Sequence, residues 1–542
     1  MKRFLASLLL ICILCSLAAC AEPSGDENTT TTTPAVTTSG SDTSVSDSGT
    51  QKPTPVTALK LRFSELGLTV SRTDLSDADK TIITAITNLI TSMLIITPQS
   101  PGTVTFRVYN AFGHSAKLTV TVDEDLVATA KVDTKPTIID AGAYRYDGTT
   151  KRSDLKTIQA AIDAAHAKYK TNGTRQTVYV SPGRYAISGN LQMKQGVTLK
   201  LYTEMTDAKV GYTSDIKAAV DGYKYAVFVV SQPILNVPYN AYATSCDTRS
   251  DFTIDGGVLD MQGAVVASLI IGAADNVKIQ NVIFKDICGQ HAIQITGCTN
   301  TSVTNCMFAG YKLGANFTRE VVQVEPTTTG ANGSDSSTTP IQYSSSLNKN
   351  SQNITIEGCY FGKSDEQNGP IMAIGHHSYN SSAGANVHTM YIKNNVFDEC
   401  LYAAIRFNSL DTVEISGNTF IASEASNWRL VDKSNMNGLP TYQTPSMIEF
   451  YRYGSGDYGI ERATIKNNTF TFSGAVDRRV LYYSSSTGYY ETMTVQNNNI
   501  TYTGAAATYS NYYIYLNGVY SVNYTKGTVS TGNNSFSSGV YY

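Results

Sequence analysis

Five segments in the second half of the chain alternate apolar and polar residues, and their polar positions carry groups suited to acid–base chemistry. The segments are His291–Thr296, Glu320–Glu325, Ile371–His376, Ala403–Asn408 and Ser446–Tyr451. Successive side chains of a strand point to opposite faces, so the apolar positions should enter a core. The other positions form an outward surface, called the outer wall below. Its predicted members are Gln294, Thr296, Gln323, Glu325, Ala373, Gly375, Arg406, Asn408, Glu449 and Tyr451.

Carboxylates near this wall could hydrolyse a glycosidic bond. Hydrolysis requires one protonated carboxylic acid and one carboxylate, about 6.5–9.5 Å apart for inversion or about 5.5 Å for retention. Glu325 and the loop pair Asp365–Glu366 should lie one turn of chain apart and could meet this requirement.

A lyase reaction could use the same wall. It needs a cation that neutralises a sugar carboxylate and a base that takes the C5 proton, and Arg406 with His376 or His377 could supply them. Two other interpretations stay open: Glu449 is a solvated strand residue, and Arg406 only pairs with it. A metal could be held by Asp365, Glu366, His376 and His377, although no fixed ligand spacing supports one.

A recurring asparagine indicates which elements position these groups. It lies two residues before an aromatic or aliphatic residue, and each pair closes a short alternating strand. Asparagine suits a repeated corner because it tolerates left-handed backbone and its amide can bond to the same residue above and below. The pattern predicts a parallel β-solenoid whose turns, called rungs, stack these residues. The pairs are Asn395/Phe397, Asn418/Phe420, Asn468/Phe470, Asn498/Ile500 and Asn534/Phe536.

Earlier rungs have the same frame with a different corner residue, which is Val282, Cys306 or Cys359. Corners on successive rungs should lie about 4.8 Å apart. Buried packing of Cys306 on Cys359 is therefore expected in preference to a disulfide, since stacked rungs do not supply the torsion of a disulfide.

The segments Thr177–Tyr185, Leu191–Leu201 and Phe252–Asp260 resemble the first rungs of the pectin lyase-like superfamily, most closely glycoside hydrolase family 28, the polygalacturonases. The resemblance extends from about Ala141 to the C-terminus. It implies a right-handed parallel β-helix with a substrate cleft along the outer wall.

The resemblance also implies roles for single residues. Arg406 falls at the position of the family's substrate-binding arginine, and Glu320 at that of one family aspartate. The other aspartate positions hold His291 and Arg319, and Asn408 replaces the family lysine, so only the location of the cleft carries over. The predicted catalytic residues are Glu320, Glu325, Asp365, His376 and Arg406; the predicted substrate-binding residues are His291, Gln323, Glu366, His377, Asn408, Glu449 and Tyr451.

The N-terminus predicts export and attachment to a membrane. Two basic residues, the apolar run Phe4–Leu17 and the sequence Leu17-Ala-Ala-Cys20 are typical of a bacterial lipoprotein signal, which makes Cys20 the predicted lipidated residue. Residues 21–54 are rich in Thr and Ser with few large apolar residues, which predicts a disordered tether.

A small β-domain is predicted between the tether and the solenoid. Thr103–Val122 alternates on both sides of an Asn-Ala-Phe-Gly turn and predicts a hairpin that resembles the last strands of bacterial immunoglobulin-like modules. Ser76–Ile90 could be helical, and Asp154–Ala167 should form a helix that caps the solenoid. The predicted domains are a signal peptide (1–20), the tether (21–54), an immunoglobulin-like domain (55–133) and the β-helix (137–542).

The sequence thus predicts an all-β, surface-anchored extracellular protein that degrades polysaccharide by hydrolysis. A lyase and a non-catalytic glycan-binding adhesin are the alternatives. No cofactor is predicted, with calcium left open, and the chain is expected to be a monomer. Its formal net charge of −3 disfavours nucleic acid as a partner.

Overall fold

The computed structural model describes residues 56–144, 154–236, 242–243, 249–312, 320–327, 342–343, 349–376, 386–408, 410–426, 445–450, 460–474, 478–484, 492–503, 508–509, 513–517, 519, 521–530, 535–536 and 540–541. The predicted signal peptide, tether and lipidated Cys20 lie outside these residues, as do Cys246, His377, Tyr451 and Asn534. No helix among the described residues is long and apolar enough to cross a membrane.

The N-terminal part consists of two antiparallel sheets around one apolar core. The predicted hairpin is confirmed, and Asn110 Oδ1 accepts hydrogen bonds from the Phe112 and His114 N–H groups in its turn. Within the segment predicted as possibly helical, only Asp79–Thr81 forms a 3₁₀ turn, whereas Ile83–Asn88 is a strand paired with Met93–Pro98. Its β-branched residues fit the sheet better than a helix. The strands are Leu59–Arg62, Ile83–Asn88 and Met93–Pro98 in one sheet, and Arg72–Thr73, Gly102–Tyr109, Ser115–Val122 and Ala128–Thr134 in the other.

From Ile139 onwards, the residues that the structure describes form a parallel β-helix in which each rung adds one strand to each of three sheets. Sheet 1 has twelve strands: Ile139–Asp140, Gln176–Val180, Val197–Leu201, Thr253–Asp255, Lys278–Gln280, Thr299–Thr304, Gln352–Glu357, Thr389–Lys393, Leu410–Ser416, Ile460–Lys466, Thr492–Gln496 and Ser521–Thr525. Sheet 2 has eleven strands: Gly183–Ile187, Ala226–Val230, Val258–Asp260, Ile283–Cys288, Met307–Lys312, Tyr360–Gly362, Val396–Asp398, Thr419–Ala422, Thr469–Ser473, Asn499–Thr503 and Val529–Ser530. Sheet 3 has eleven strands: Leu191–Gln192, Ile234–Leu235, Leu269–Gly272, Ile293–Thr296, Glu320–Glu325, Met372–His376, Ala403–Phe407, Ser446–Phe450, Arg479–Ser484, Ile514–Asn517 and Val540–Tyr541.

Short elements decorate this solenoid. Two further strand pairs, 242–243 with 342–343 and 508–509 with 535–536, lie outside the three sheets. The helices are Phe63–Leu66, Asp154–Asn172 and Ser214–Asp221, with 3₁₀ turns at Asp79–Thr81, Ala141–Tyr144, Ala208–Val210 and Glu424–Ser426.

The asparagine ladder is present between sheets 1 and 2. Asn418 Oδ1 accepts hydrogen bonds from the backbone N–H and the side-chain amide of Asn395, at 2.9 and 3.0 Å. Asn468 does the same for Asn418, and Asn498 for Asn468. The ladder asparagines were predicted to adopt left-handed backbone, and this was wrong. The residues that do so are those directly before them: Asn394, Gly417, Asn467 and Asn497.

A column of phenylalanine rings runs beside the ladder inside the core. Phe284, Phe308, Phe361, Phe397, Phe420 and Phe470 stack with centroids 4.5–5.1 Å apart. The cysteines of this region, Cys306 and Cys359, are free and buried, and the Cys306 N–H donates to Cys359 Sγ at 3.4 Å. Burial raises the pKa of the Cys306 thiol well above its usual range.

The predicted capping helix is present as Asp154–Asn172. It buries Ile158 and Ile162 against the first rung, and Asp154 Oδ2 accepts a hydrogen bond from the Ala186 N–H. The N-terminal sheets join the same end, since buried Asp140 accepts hydrogen bonds from Thr69 and from the Asn110 amide. The first solenoid strands are therefore covered, which protects their edge.

Candidate functional site

The register of sheet 3 places the polar outward residues of successive rungs side by side, as the sequence alternation predicted. One column runs through Gln294, Gln323, Gly375, Arg406, Glu449, Tyr482 and Tyr515. The neighbouring column pairs Thr296 with Glu325. The outer wall is thus a continuous strip whose middle is charged and whose C-terminal end is aromatic.

Gly375 has no side chain in the middle of this strip, and the space that a side chain would need there, called the gap below, is taken up by Glu320 and by the Arg406 carbonyl. A methyl group on Gly375 would lie 2.4 Å from the carbonyl oxygen of Arg406 and 2.8 Å from Cγ of Glu320. These distances show that the side chain of Glu320 leans over the gap towards the next strand. Glu320 therefore contacts the wall although it stands at the start of its strand.

Arg406 and Glu449 form a buried ion pair next to the gap. Arg406 Nε lies 3.6 Å from Glu449 Oε2, and only 2% of Glu449 is exposed. Burial raises the pKa of Glu449 even though Arg406 and the Tyr402 hydroxyl both favour the carboxylate. The Tyr402 ring lies 5.8 Å from the Arg406 guanidinium, and burial beside Glu449 raises the pKa of its hydroxyl. Glu449 is thus a buried carboxyl group whose pKa lies above that of an exposed glutamate.

Three further predicted residues, Gln323, Glu325 and His291, lie along the same strip. Gln323 Nε2 donates a hydrogen bond to Glu325 Oε1 at 3.1 Å, and both side chains are buried. His291 Nδ1 donates to the backbone carbonyl of Glu320 at 2.5 Å, which fixes the orientation of the imidazole. His291 and Glu320 are therefore neighbours on adjacent rungs.

His376 does not belong to the outer wall. It pairs in register with the core residue Phe407, is fully buried, and its ring packs edge-on against the Phe407 ring at 6.0 Å. Its Nδ1 accepts a hydrogen bond from the Asn408 N–H at 3.3 Å. Since the strand alternation continues through Gly375, the next residue must point inwards. The placement of His376 among the outward groups was therefore wrong, while buried Asn408 lies at the end of the neighbouring strand.

Asp365 and Glu366 are not brought to Glu325. They follow a sheet 2 strand, where Asp365 forms a 2.8 Å ion pair with Lys217 of the helix Ser214–Asp221. Partial burial opposes ionisation of Asp365, but Lys217 holds its pKa below the usual value. Glu366 lines a cleft on sheet 2. Glu325 stands at the far end of a sheet 3 strand, so the predicted pairing of these carboxylates was wrong.

The structure adds two residues that the sequence did not single out, Tyr402 and Arg479. Tyr402 has no polar neighbour in sequence, but it lies four residues before Arg406 at the mouth of the same strand. Arg479 lies over the rings of Tyr482 and Tyr515, at 5.0 and 5.6 Å from their centroids. These two rings stack on each other at 5.4 Å. The position of Tyr482, in register with Glu449, was the available signal.

No metal centre emerges from the part of the chain that the structure describes. Within it, no group of three or more His, Cys, Asp or Glu side chains is arranged to hold a metal ion. Of the residues considered for a metal, Asp365 and Glu366 lie on sheet 2 and His376 in the core, whereas His377 lies outside the described residues. Tyr451, the last residue predicted for the wall, also lies outside them.

Known proteins share this architecture. A sequence model of the family described as rhamnogalacturonase A/epimerase, pectate lyase-like, matches residues 138–364. Plasmin and fibronectin-binding protein A of Streptococcus pneumoniae is 30% identical over 345 residues, which cover 58% of this chain and 44% of that protein. The chain therefore spans less than half the length of this curated relative.

Two solved structures of the surface adhesin PfbA from Streptococcus pneumoniae resemble the fold. One has a TM-score of 0.52 at 24% identity and covers 68% of this chain and 79% of that chain. The other has a TM-score of 0.51 at 22% identity and covers 75% of this chain and 99% of that chain. Together with the three parallel sheets, these similarities show that the chain has the fold of a right-handed parallel β-helix.

Proposed function

We propose that the chain is an extracellular, surface-associated protein that binds a polysaccharide along the outer wall and hydrolyses it there. The proposal includes membrane attachment through lipidated Cys20 and a relationship to glycoside hydrolase family 28. The observation that carries it is the buried Glu449, whose pKa is raised and which lies on the same strip as Glu320 with Arg406 and Gly375 between them.

The burial of this cluster argues for a chemical role. Taking an arginine and a glutamate out of water costs several kcal/mol per ion, and an apolar pair of similar volume would often stabilise the fold better. A β-helix that served only as a spacer would gain nothing from such a pair. The raised pKa of Glu449 is instead what a general acid requires.

The two carboxyl groups also suit hydrolysis by their spacing. Glu320 leans to the Gly375 strand, and Glu449 lies two strands beyond Gly375, so the two carboxyl groups are separated by about two strand spacings, ~10 Å. This interval is close to the upper end of the range for inversion, about 6.5–9.5 Å. In the proposed reaction Glu449 gives its proton to the glycosidic oxygen, and Glu320 takes a proton from the water that attacks the anomeric carbon. Arg406 holds Glu449 in place.

A non-catalytic glycan-binding adhesin is the second candidate. The similarity to a protein named for binding plasmin and fibronectin and to a surface adhesin favours it. The replacement of two family aspartates by His291 and Arg319 points the same way. The lyase alternative is less well supported, because His376 points into the core and Arg406 is already paired with Glu449.

The test is to incubate the full chain, purified in detergent micelles, with plant, host and microbial polysaccharides. Reducing ends and absorbance at 235 nm are recorded in each reaction. Hydrolysis predicts reducing ends without absorbance, and Glu449→Gln and Glu320→Gln should each lower turnover by at least about 100-fold. Asp365→Asn, a matched carboxylate change on sheet 2, should leave turnover within about twofold.

The other outcomes decide between the alternatives. Glycan binding without reducing ends on any polysaccharide would replace the hydrolase by the adhesin. A rise at 235 nm would establish a lyase. Equal losses in Asp365→Asn and Glu449→Gln would show that the outer wall is not the site.

A further inference from the structure

A second polar cleft lies on sheet 2, on a different face of the solenoid from the outer wall. It has a volume of 460 Å³, within the range of about 300–1,000 Å³ typical of small-molecule sites. Its floor is formed by the ends of sheet 2 strands, and one side by the end of the helix Ser214–Asp221. The charged and aromatic residues that line it are Tyr223, Asp260, Lys285, Asp286, Lys312 and Glu366.

The floor of the cleft carries buried charged side chains that contact one another. Asp260 and Lys285 are opposite each other in register, and Lys285 forms an ion pair with Asp286. Asp286 adopts a φ of 53°, unusual for a residue other than glycine. Ser364 donates a 3.2 Å hydrogen bond to Asp286 Oδ1 and receives one from the Glu366 N–H. The loop that carries Glu366 is thus tied to the cleft floor.

Asp260 offers a free acceptor to the cleft. Asp260 is only 9% exposed, and its Oδ1 accepts a 2.9 Å hydrogen bond from the Gln262 N–H. Among the described residues, no hydrogen bond or ion pair reaches its Oδ2. Because Asp260 lines the cleft, a bound ligand could donate a hydrogen bond to this oxygen.

Groups of complementary chemistry surround this acceptor. Lys312 packs beside Gly263 and, in the described part of the chain, its ammonium has neither an ion pair nor a hydrogen bond. Glu366 is exposed on the other side. Tyr223 is 45% exposed at the rim and adopts a φ of 51°, so a large ring is presented to solvent on left-handed backbone.

These groups match one class of ligand. A carboxylate can accept two sugar hydroxyls, an ammonium can donate to a hydroxyl or ring oxygen, and an aromatic ring can pack on the apolar face of a sugar. The charges of both signs do not favour a strongly charged ligand. We propose that the sheet 2 cleft is a second saccharide-binding site, which holds a neutral segment of one or two sugar rings. This site does not depend on the function of the outer wall.

The experiment titrates the full chain with cellobiose, xylobiose, galactobiose and diacetylchitobiose, and with 6-aminohexanoate as a cationic probe, by isothermal calorimetry. At least one disaccharide should bind. Asp260→Asn and Lys312→Gln should each weaken this binding about tenfold, because each removes a charged hydrogen-bonding group. Asp255→Asn, a carboxylate of similar burial on sheet 1, is the matched control and should leave binding unchanged.

Lys312 is exposed, so its replacement does not threaten folding and keeps the test meaningful if Asp260→Asn fails to fold. Binding should persist in Glu449→Gln, which separates this site from the outer wall. If none of the disaccharides binds at concentrations up to ~10 mM, the proposal is overturned. Equal binding by the wild type and Lys312→Gln, or binding of 6-aminohexanoate alone, would overturn it as well.

Discussion

Replacing Asn418 by alanine tests how much one step of the asparagine ladder contributes to stability. Asn418 is fully inside the protein, and its side chain takes part in four hydrogen bonds. Its Oδ1 accepts from the Asn395 N–H and amide, and its amide donates to the Ile392 carbonyl and to Asn468 Oδ1. Alanine removes all four.

The magnitude follows from the groups left behind. Asn395 would keep two buried donors without an acceptor, each costing about 1–3 kcal/mol. The acceptors Ile392 O and Asn468 Oδ1 lose less, because Asn468 Oδ1 still receives the Asn418 backbone N–H. The expected loss in the free energy of unfolding is therefore ~3–5 kcal/mol, at the upper end of single-residue effects.

The assay is urea unfolding followed by circular dichroism, with the midpoint compared at a shared slope. Asn418→Cys should lose less than alanine, since Cys359 Sγ already accepts a backbone N–H in the same column. Asn523→Ala, an exposed asparagine on a sheet 1 strand, is the control and should change stability by less than ~0.5 kcal/mol. A loss of less than ~1 kcal/mol for Asn418→Ala, or one equal to that of Asn523→Ala, would refute the reasoning.

Three further predictions concern the core and the wall. Phe397→Ala should lower the free energy of unfolding by about 3–5 kcal/mol and Phe397→Leu by less, because the ring stacks on Phe361 and Phe420; equal losses in urea unfolding would contradict this. Gly375→Ala should lower the thermal midpoint by several degrees, because the methyl group meets the Arg406 carbonyl; an unchanged midpoint would mean that the gap is not tight. Because the pKa of Glu449 is raised in the folded state, its stabilising contribution is present below the unfolded-state pKa of about 4.3 and is lost as the pH rises through the folded-state value. The stability of Glu449→Gln relative to the wild type should therefore increase between pH 4 and 7. A stability difference that does not depend on pH would contradict the shift.

The periodic parts of this molecule could be predicted from the sequence because each rung repeats the same local requirements. Spacing within each strand is enough to locate the ladder asparagines and the phenylalanines two residues later. The same alternation, repeated on neighbouring strands, places Arg406 beside Glu449. The left-handed corner was assigned one residue too late, since asparagine and glycine occur at both neighbouring positions, as in Asn394–Asn395 and Gly417–Asn418.

The parts that escaped prediction depend on contacts between distant segments. Asp365 follows a sheet 2 strand and pairs there with Lys217, almost 150 residues earlier, and nothing near Asp365 in the sequence indicates that partner. Glu320 leans into the gap at Gly375 because of a glycine on the next rung. Ile83–Asn88 became a strand because Met93–Pro98 pairs with it, which overrides the weak helical pattern.

The spacing between ladder asparagines in space does not depend on how many residues separate them in the sequence. The ladder's hydrogen bonds keep to 2.9–3.0 Å although the asparagines they join are 23, 50 and 30 residues apart. Segments of very different length can therefore be inserted between rungs while the spine stays in register. In evolution, such a scaffold can acquire and exchange surface loops, and with them its choice of partner, without having to redesign its core.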